Sequence, residues 1–161
     1  MTNFRSPLSQ SLILVLISIL FGFGGNFVRN DRISWLAEKL DVLESIDTDS
    51  NQPELAAVSI DQAKLFYDEG TLFIDARDEV YYNEGHIKGA IKNSFLMELI
   101  FTIEAIQSKE TPIVVYCGDP GCGDSEDLAY DLKDSGFTRL YVFKGGWLEW
   151  SSKGYPSETS E

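Results

Sequence analysis

Both cysteines of the 161-residue chain lie in one short stretch, VVYCGDPGCGDSEDLA, between Val114 and Ala129. Cys117 and Cys122 are separated by GDPG, and Pro120 and the glycines favour a turn that can bring the two sulfurs together. Two thiols at this spacing could bind a metal, undergo thiol–disulfide exchange, or provide a nucleophile with a second thiol beside it.

The composition narrows these alternatives. Two cysteines are too few for a scaffold held by several disulfides, and they exclude a four-cysteine zinc site. The chain has one histidine, His86, so a mixed site would still need a carboxylate, and we predict neither a metal nor a cofactor. The net charge of −13 describes a surface that repels phosphate backbones, so nucleic acid is not a predicted partner.

The N-terminal segment is strongly apolar. SLILVLISILFGFGG, from Ser11 to Gly25, lies in a stretch without charge between Arg5 and Arg29. Its length is at the short end of what a spanning helix needs, so residues 1–30 are predicted to form a transmembrane anchor of a single-pass membrane protein. A cleaved signal segment is the alternative, which would leave the domain secreted or periplasmic. Basic residues flank the segment on both sides, so the side of the membrane that carries the domain stays open.

Residues 31–55 have the composition of a spacer. Apolar residues at helical spacing predict a short amphipathic helix there, formed by Trp35, Leu36, Leu40 and Leu43, and a polar linker with Pro53 follows it. The globular domain is predicted over residues 56–155, with a short tail over residues 156–161.

Short apolar runs alternate with helical patterns throughout the domain. The predicted strands are Val58–Ile60, Thr71–Ala76, Pro112–Tyr116 and Arg139–Phe143, and segments of helix length separate them. This alternation predicts an α/β fold in which helices cover a parallel sheet.

Cys117 follows the most strand-like run of the chain and precedes a helix predicted to begin near Ser125. Ligands of parallel sheets bind where strand carboxyl ends meet helix amino ends, and unpaired backbone N–H groups there stabilise a thiolate. A buried cysteine that only packs against its neighbours is the other interpretation, and position alone does not decide between them.

Three motifs resemble those of the rhodanese domain. They are FIDARDEVYYNEGHIKGAI (Phe73 to Ile91), VVYC (Val114 to Cys117) and YVFKGGWLEW (Tyr141 to Trp150), in the family's order and spacing. The resemblance covers residues 58–150 and implies a parallel five-stranded sheet flanked by helices. It also implies that Cys117 carries a persulfide.

The loop after Cys117 departs from the family's common C-x4-R-S pattern, because Cys122 stands where the arginine is expected. Ser125 best matches the family's serine. The residues predicted to bind the persulfide are Gly118, Asp119, Pro120, Gly121, Gly123, Asp124 and Ser125. They include no Lys or Arg, so thiosulfate, a dianion, is predicted to be a poor sulfur donor. The C-x5-R pattern with which cysteine phosphatases bind phosphate is also missing.

Three further residues of the first motif are predicted to support the site. Asp75 and Arg77 should form an ion pair or hydrogen-bond network at a strand end. The resemblance implies that His86 braces a turn, so a role as base for Cys117 is the less favoured interpretation.

These observations predict an enzyme of the sulfurtransferase type, whose partners are a sulfur donor and a thiol acceptor. Cys117 would carry sulfane sulfur as a persulfide, and Cys122 could release it by forming a disulfide. Two alternatives stay open: a thiol–disulfide redox site that uses both cysteines, and a non-catalytic interaction module.

Overall fold

The computed structural model describes residues 7–28 and 54–160. The chain divides into two compact units, Met1–Lys39 and Leu40–Glu161. The amphipathic helix predicted in the spacer lies outside the described residues.

The first unit contains one described helix, α1, over Pro7–Val28. Among the described residues no helix is both long and apolar enough to cross a membrane, so the transmembrane helix predicted from the sequence is not found.

The second unit is built on a five-stranded sheet in which every pairing is parallel. The strand order is β1-β6-β5-β2-β4. The strands are β1 (Glu54–Val58), β2 (Leu72–Asp75), β4 (Ile91–Lys92), β5 (Ile113–Tyr116) and β6 (Arg139–Phe143). The helices of this unit are α2 (Ile60–Asp68), α3 (Glu79–Glu84), α4 (Leu96–Ile106), α5 (Asp124–Asp134) and α6 (Gly146–Ser152). The predicted parallel α/β fold is confirmed.

Both faces of the sheet are buried, which explains why its central strands are apolar without interruption. Successive side chains of β5 point to opposite faces, so Val115 joins one core cluster and Val114 the other. The first cluster packs under α4 and α5, and the second, rich in aromatic rings, packs under α2 and α6. Because β5 is packed on both faces, its carboxyl end has a fixed position, and Cys117 is the next residue.

The start of the sheet differs from the sequence prediction. β1 ends at Val58, where the predicted strand began, and α2 starts at Ile60. Ser59 caps α2 with Gln62 in a reciprocal capping box. The predicted strand therefore wrongly included the residue that caps the helix.

A second, two-stranded sheet lies outside the main one. In it β3 (His86–Ile87) pairs antiparallel with β7 (Ser157–Glu158). The residues predicted as a tail thus include a strand that is fastened to the segment after α3.

Candidate functional site

The two cysteines are joined by a disulfide bond at the carboxyl end of β5. Their Cα atoms are 6.2 Å apart, within the usual range for a disulfide. Cys117 is 3% exposed, whereas Cys122 is only half-buried. Solvent therefore reaches the sulfur of Cys122 more readily than that of Cys117.

The turn expected at Pro120 is present and is held by Asp119. The N–H of Gly121 donates to Oδ1 of Asp119 at 2.7 Å, and the N–H of Cys122 donates to the carbonyl of Asp119 at 3.1 Å. An aspartate that bonds the backbone two residues on is a common way to close a tight turn. This turn carries Cys122 back to Cys117.

The backbone of the loop is fixed from the other side by the start of α6. Trp147 donates its N–H to the carbonyl of Cys117 at 2.8 Å, and Leu148 donates to that of Gly118 at 2.9 Å. Gly146 has a φ of +59°, and a Cβ there would overlap the carbonyl oxygen of Cys117. Only glycine satisfies both the backbone conformation and the close approach.

The helix that follows the loop offers backbone donors. Gly123 precedes α5, and its carbonyl accepts hydrogen bonds from Glu126 and Asp127. The N–H groups of Asp124 and Ser125 have no hydrogen-bond partner within residues 7–28 and 54–160, as is usual in the first turn of a helix. Ser125 itself is buried.

The disulfide opens into a cavity of about 370 Å³. Its lining consists of Arg77, Asp78, Tyr81, Cys117, Gly118, Asp119, Cys122 and Asp124. One carboxylate lies beside the sulfurs, because Oδ2 of Asp124 is 3.5 Å from Sγ of Cys122 and 3.8 Å from Sγ of Cys117. Arg77 is the one positively charged residue in this lining.

The guanidinium of Arg77 is paired with a buried carboxylate. Its Nε and Nη2 donate to the carboxylate of Asp75, the latter at 2.6 Å, and Nη2 also donates to the carbonyl of Gly85 at 2.7 Å. Burial lowers the pKa of Arg77, but the hydrogen bonds and charge of Asp75 outweigh it, and the net pKa is raised. The positive charge of the guanidinium is thus largely balanced by the carboxylate of Asp75, which weakens its attraction for an anionic sulfur donor.

Asp75 also anchors the strand that carries Cys117. The hydroxyl of Tyr116, the residue before Cys117, donates to Oδ2 of Asp75 at 2.7 Å, and it accepts the N–H of Ile87 at 3.1 Å. Burial, followed by the charge of Asp75, raises the pKa of Tyr116 far above its usual range, so the hydroxyl stays protonated. Asp75 and Tyr116 are both fully buried, and the network ties β2 to β5 beneath the loop.

His86 belongs to a different part of the domain. Its Nδ1 donates to the carbonyl of Tyr82 at 2.8 Å, its ring stacks on that of Tyr82, and its Nε2 is 3.5 Å from the carboxylate of Glu158. It is buried and does not line the cavity at the disulfide. This placement agrees with a bracing role and gives no route to Cys117.

A second cavity, of about 420 Å³, adjoins the first and shares Asp78 and Asp124 with it. It also contains Asp127 and Asp131, and no base lines it. Asp78, Asp127 and Asp131 have no ion-pair partner in the described part of the chain. The surroundings of the cysteines are thus acidic beyond the loop itself.

Sequence reasoning missed two residues of the site, Asp78 and Tyr81. Both follow β2, the strand that pairs with β5 in the sheet. Because the carboxyl ends of paired parallel strands meet at one edge, the residues just after β2 could have been placed beside Cys117 from the predicted strand alone.

Comparison with known proteins identifies the family. The rhodanese-like domain matches residues 59–153, more than half of the chain, and the protein belongs to this family. The chain is 32% identical over 108 residues to the thiosulfate sulfurtransferase GlpE of Pseudomonas entomophila, covering 67% of this chain and 94% of that protein. These matches support a sulfurtransferase role at the level of the family.

Two further relatives show how far the similarity reaches. The chain is 34% identical over 121 residues to a tRNA uridine(34) hydroxylase of Yersinia pestis, covering 70% of this chain but only 33% of that enzyme. It therefore spans about a third of the length of that relative. Among solved structures, the BH2092 protein of Bacillus halodurans is similar with a TM-score of 0.54 and 26% identity, over 63% of this chain and 74% of that one.

Proposed function

We propose that the domain is a sulfurtransferase that carries sulfane sulfur as a persulfide on Cys117 and passes it to a thiol acceptor. The observation that carries the proposal is the position of Cys117, at the carboxyl end of β5, bonded to Cys122 and in the loop that leads into α5, whose first turn offers unpaired N–H groups. Such donors stabilise a sulfur anion, because they place partial positive charge where the negative charge resides.

Loading requires the reduced pair, which a dithiol reductant produces from the disulfide. The thiolate of Cys117 attacks the outer sulfur of a donor persulfide, R–S–SH. A bond forms between Sγ of Cys117 and that sulfur, the S–S bond of the donor breaks, and the donor leaves as the thiol R–SH. The product is Cys117–S–SH, in which the new terminal sulfur lies in the cavity.

Unloading has two balanced routes. An acceptor thiolate can attack the terminal sulfur, which gives the acceptor persulfide and restores the Cys117 thiolate. Alternatively, the thiolate of Cys122 attacks Sγ of Cys117, hydrosulfide leaves, and the Cys117–Cys122 disulfide forms. The second route needs a further dithiol before the next cycle, and the short loop supports it because it brings the two sulfurs within bonding distance.

The charges around the loop favour a donor of low charge. The one lining base, Arg77, is bound to Asp75, and the remaining lining charges are carboxylates. A thiosulfate dianion would meet like charge on approach, whereas a neutral or singly charged persulfide would meet less. Although one relative is named a thiosulfate sulfurtransferase, this chain should use a persulfide donor more efficiently.

The test is to treat the reduced full-length protein with a small thiol persulfide and to measure its intact mass. Cys122→Ser should gain the mass of one sulfur atom. The wild type should either gain it or, by the second unloading route, lose the mass of two hydrogen atoms as the disulfide forms, and Cys117→Ser should show neither change. Persistent sulfur loading of Cys117→Ser would refute the assignment of the nucleophile.

A second candidate function is a thiol–disulfide redox site, which the bonded state of the pair favours. It predicts turnover of a dithiol substrate in the complete absence of sulfane sulfur. If the reduced protein neither acquires sulfur nor exchanges with dithiols, the non-catalytic interaction module becomes the better account.

Membrane contact is a separate proposal that rests on α1 alone. Its apolar side chains Leu12, Leu14, Leu20 and Phe21 are exposed in the structure, and exposed apolar surface of this kind suits the boundary of a lipid layer. Recovery of the full-length protein with membranes would support it, and a protein found only in the supernatant of a cell lysate would oppose it.

A further inference from the structure

Three possible metal ligands converge at the cysteine loop. They are the Sγ atoms of Cys117 and Cys122 and a carboxylate oxygen of Asp124, and all three lie within 4.8 Å of one another. The sequence alone predicts no metal, because a mixed site would need a carboxylate in addition to the two thiols and His86. The fold supplies one by starting α5 immediately after the loop.

Two of the three distances between the ligand atoms lie within about 0.3 Å of the edges of a tetrahedral site. With Zn–S bonds of about 2.3 Å and a Zn–O bond of about 2.0 Å, a sulfur and an oxygen ligand are separated by about 3.5 Å and two sulfurs by about 3.8 Å. The observed distances from Oδ2 of Asp124 are 3.5 Å to Sγ of Cys122 and 3.8 Å to Sγ of Cys117. Only the two sulfurs are too close, because they are bonded to each other. Reduction breaks that bond and allows them to separate.

The electrostatic surroundings favour a cation over the alternatives. Two thiolates and one carboxylate bring three negative charges, and Asp78 and Asp119 line the same cavity. The amino end of α5 opposes a cation with the equivalent of about half a positive charge, which the ligands outweigh. Arg77 does not compete, since it is bound to Asp75.

We propose that the reduced cysteine pair and Asp124 form a three-ligand site for a thiophilic divalent cation of the zinc class, with the fourth position open to the cavity. A dithiol reductant first converts the disulfide to two thiols and leaves as its own cyclic disulfide. Each thiol then loses one proton as the cation binds, so two protons are released for each cation. Sulfur ligands select such cations over Mg²⁺ or Ca²⁺.

The site would link metal binding to the redox state of the pair. The disulfide has no thiolate to offer, so the oxidised protein cannot form the site. In the reduced protein, a cation bound to Sγ of Cys117 withdraws electron density from the sulfur and makes it a weaker nucleophile toward a persulfide donor. The cation and sulfane sulfur would therefore exclude each other, although the metal site itself does not depend on sulfur transfer being the function.

The experiment titrates the full-length protein with Co²⁺, whose tetrahedral thiolate complexes absorb strongly in the near ultraviolet, and then with Zn²⁺ against a coloured chelator. The reduced wild type should bind one equivalent and show the thiolate band. Cys117→Ser and Cys122→Ser should lose it. Asp124→Asn should weaken Zn²⁺ binding by at least about tenfold, since changes even outside the first ligand shell cost that much.

Asp127→Asn is the matched control, because it removes the same charge one turn further along α5 without touching the ligand set. Its affinity should stay within about twofold of wild type. No thiolate band in the reduced wild type would overturn the proposal, as would equal affinities of Asp124→Asn and Asp127→Asn. Circular dichroism of each variant separates loss of ligation from loss of folding.

Discussion

Asp75 and Asp124 lie at the same edge of the sheet, yet their surroundings are opposite. Asp75 is fully buried, and its carboxylate accepts hydrogen bonds from Arg77 and Tyr116. Asp124 is exposed, and the side-chain atoms beside its carboxylate are the two sulfurs. The carboxylate of Asp75 has its hydrogen-bond partners within the fold and therefore stabilises the structure. The carboxylate of Asp124 faces the two sulfurs and can take part in their chemistry.

The largest effect should come from removing the buried carboxylate. Asp75→Ala leaves the Arg77 guanidinium, whose side chain is only 9% exposed, without its counter-ion. Breaking a buried pair in this way costs about 3–5 kcal/mol in the free energy of unfolding. Asp124→Ala is the matched variant and should cost less than about 1 kcal/mol, mainly from its place in the first turn of α5. Urea unfolding of the full-length proteins measures both, and equal losses would abolish the contrast.

Removal of the Tyr116 hydroxyl, which joins Asp75 to β5, should lower the free energy of unfolding by a smaller amount. Tyr116→Phe removes the donor to Asp75 and leaves the N–H of Ile87 without its acceptor. An unsatisfied buried group costs about 1–3 kcal/mol, which urea unfolding would detect. Tyr81→Phe, at an exposed ring, is the control and should stay within about 0.5 kcal/mol of wild type. A Tyr116→Phe protein as stable as this control would show that the network is dispensable.

Asp124 should affect how well the protein uses a negatively charged donor rather than the stability of the fold. Asp124→Asn should raise kcat/KM for thiosulfate by about thirtyfold at most, because a unit charge about 4 Å from a dianion contributes roughly 2 kcal/mol in water. Added salt should have the same effect on the wild type, since it screens the repulsion. Asp134→Asn, at the far end of α5, is the control and should change little. Wild-type thiosulfate activity that falls with salt would contradict this electrostatic account.

Glu158 is intermediate between Asp75 and Asp124, and removal of its carboxylate should have the smallest effect on stability. The N–H of Gly89 donates to its carboxylate at 2.8 Å and lowers its pKa below the ordinary value of 4.5, with a further contribution from His86. A lowered folded-state pKa stabilises the fold above the unfolded-state pKa, and the stabilisation disappears as the pH falls through the folded value. The difference in unfolding midpoint between wild type and Glu158→Gln should therefore shrink below about pH 4.5. Glu84→Gln, which also replaces an exposed glutamate by its amide, is the control for the substitution itself.

The fold could be predicted because its signals are local and repeated. β5 and β6 are apolar on both faces, and helix-length segments with polar faces separate the strands, which together specify a parallel α/β sheet. The boundary of β1 was missed because Ser59 and Gln62 look like ordinary polar residues until their reciprocal capping bonds are seen.

The site could be predicted only in part. Cys117 is fixed by the end of β5, so its position follows from the strand. The placement of Asp124 beside both sulfurs depends on the tight turn at Asp119 and on the residue at which α5 begins. Neither is encoded in a periodic pattern, and a shift of one residue in the start of the helix would turn this carboxylate away.

The unequal exposure of the two sulfurs gives the disulfide a direction. An external thiolate meets Cys122 first, because Cys117 is 3% exposed and lies under the start of α6. Attack at Cys122 leaves the external thiol bonded there and expels Cys117 as the thiolate, next to the N–H groups that stabilise it. Each reduction would thus release the thiolate of Cys117 first and the thiol of Cys122 second. Trapping the mixed disulfide with an excess of glutathione and mapping it by peptide mass should find the adduct on Cys122, and an adduct on Cys117 would reverse the order.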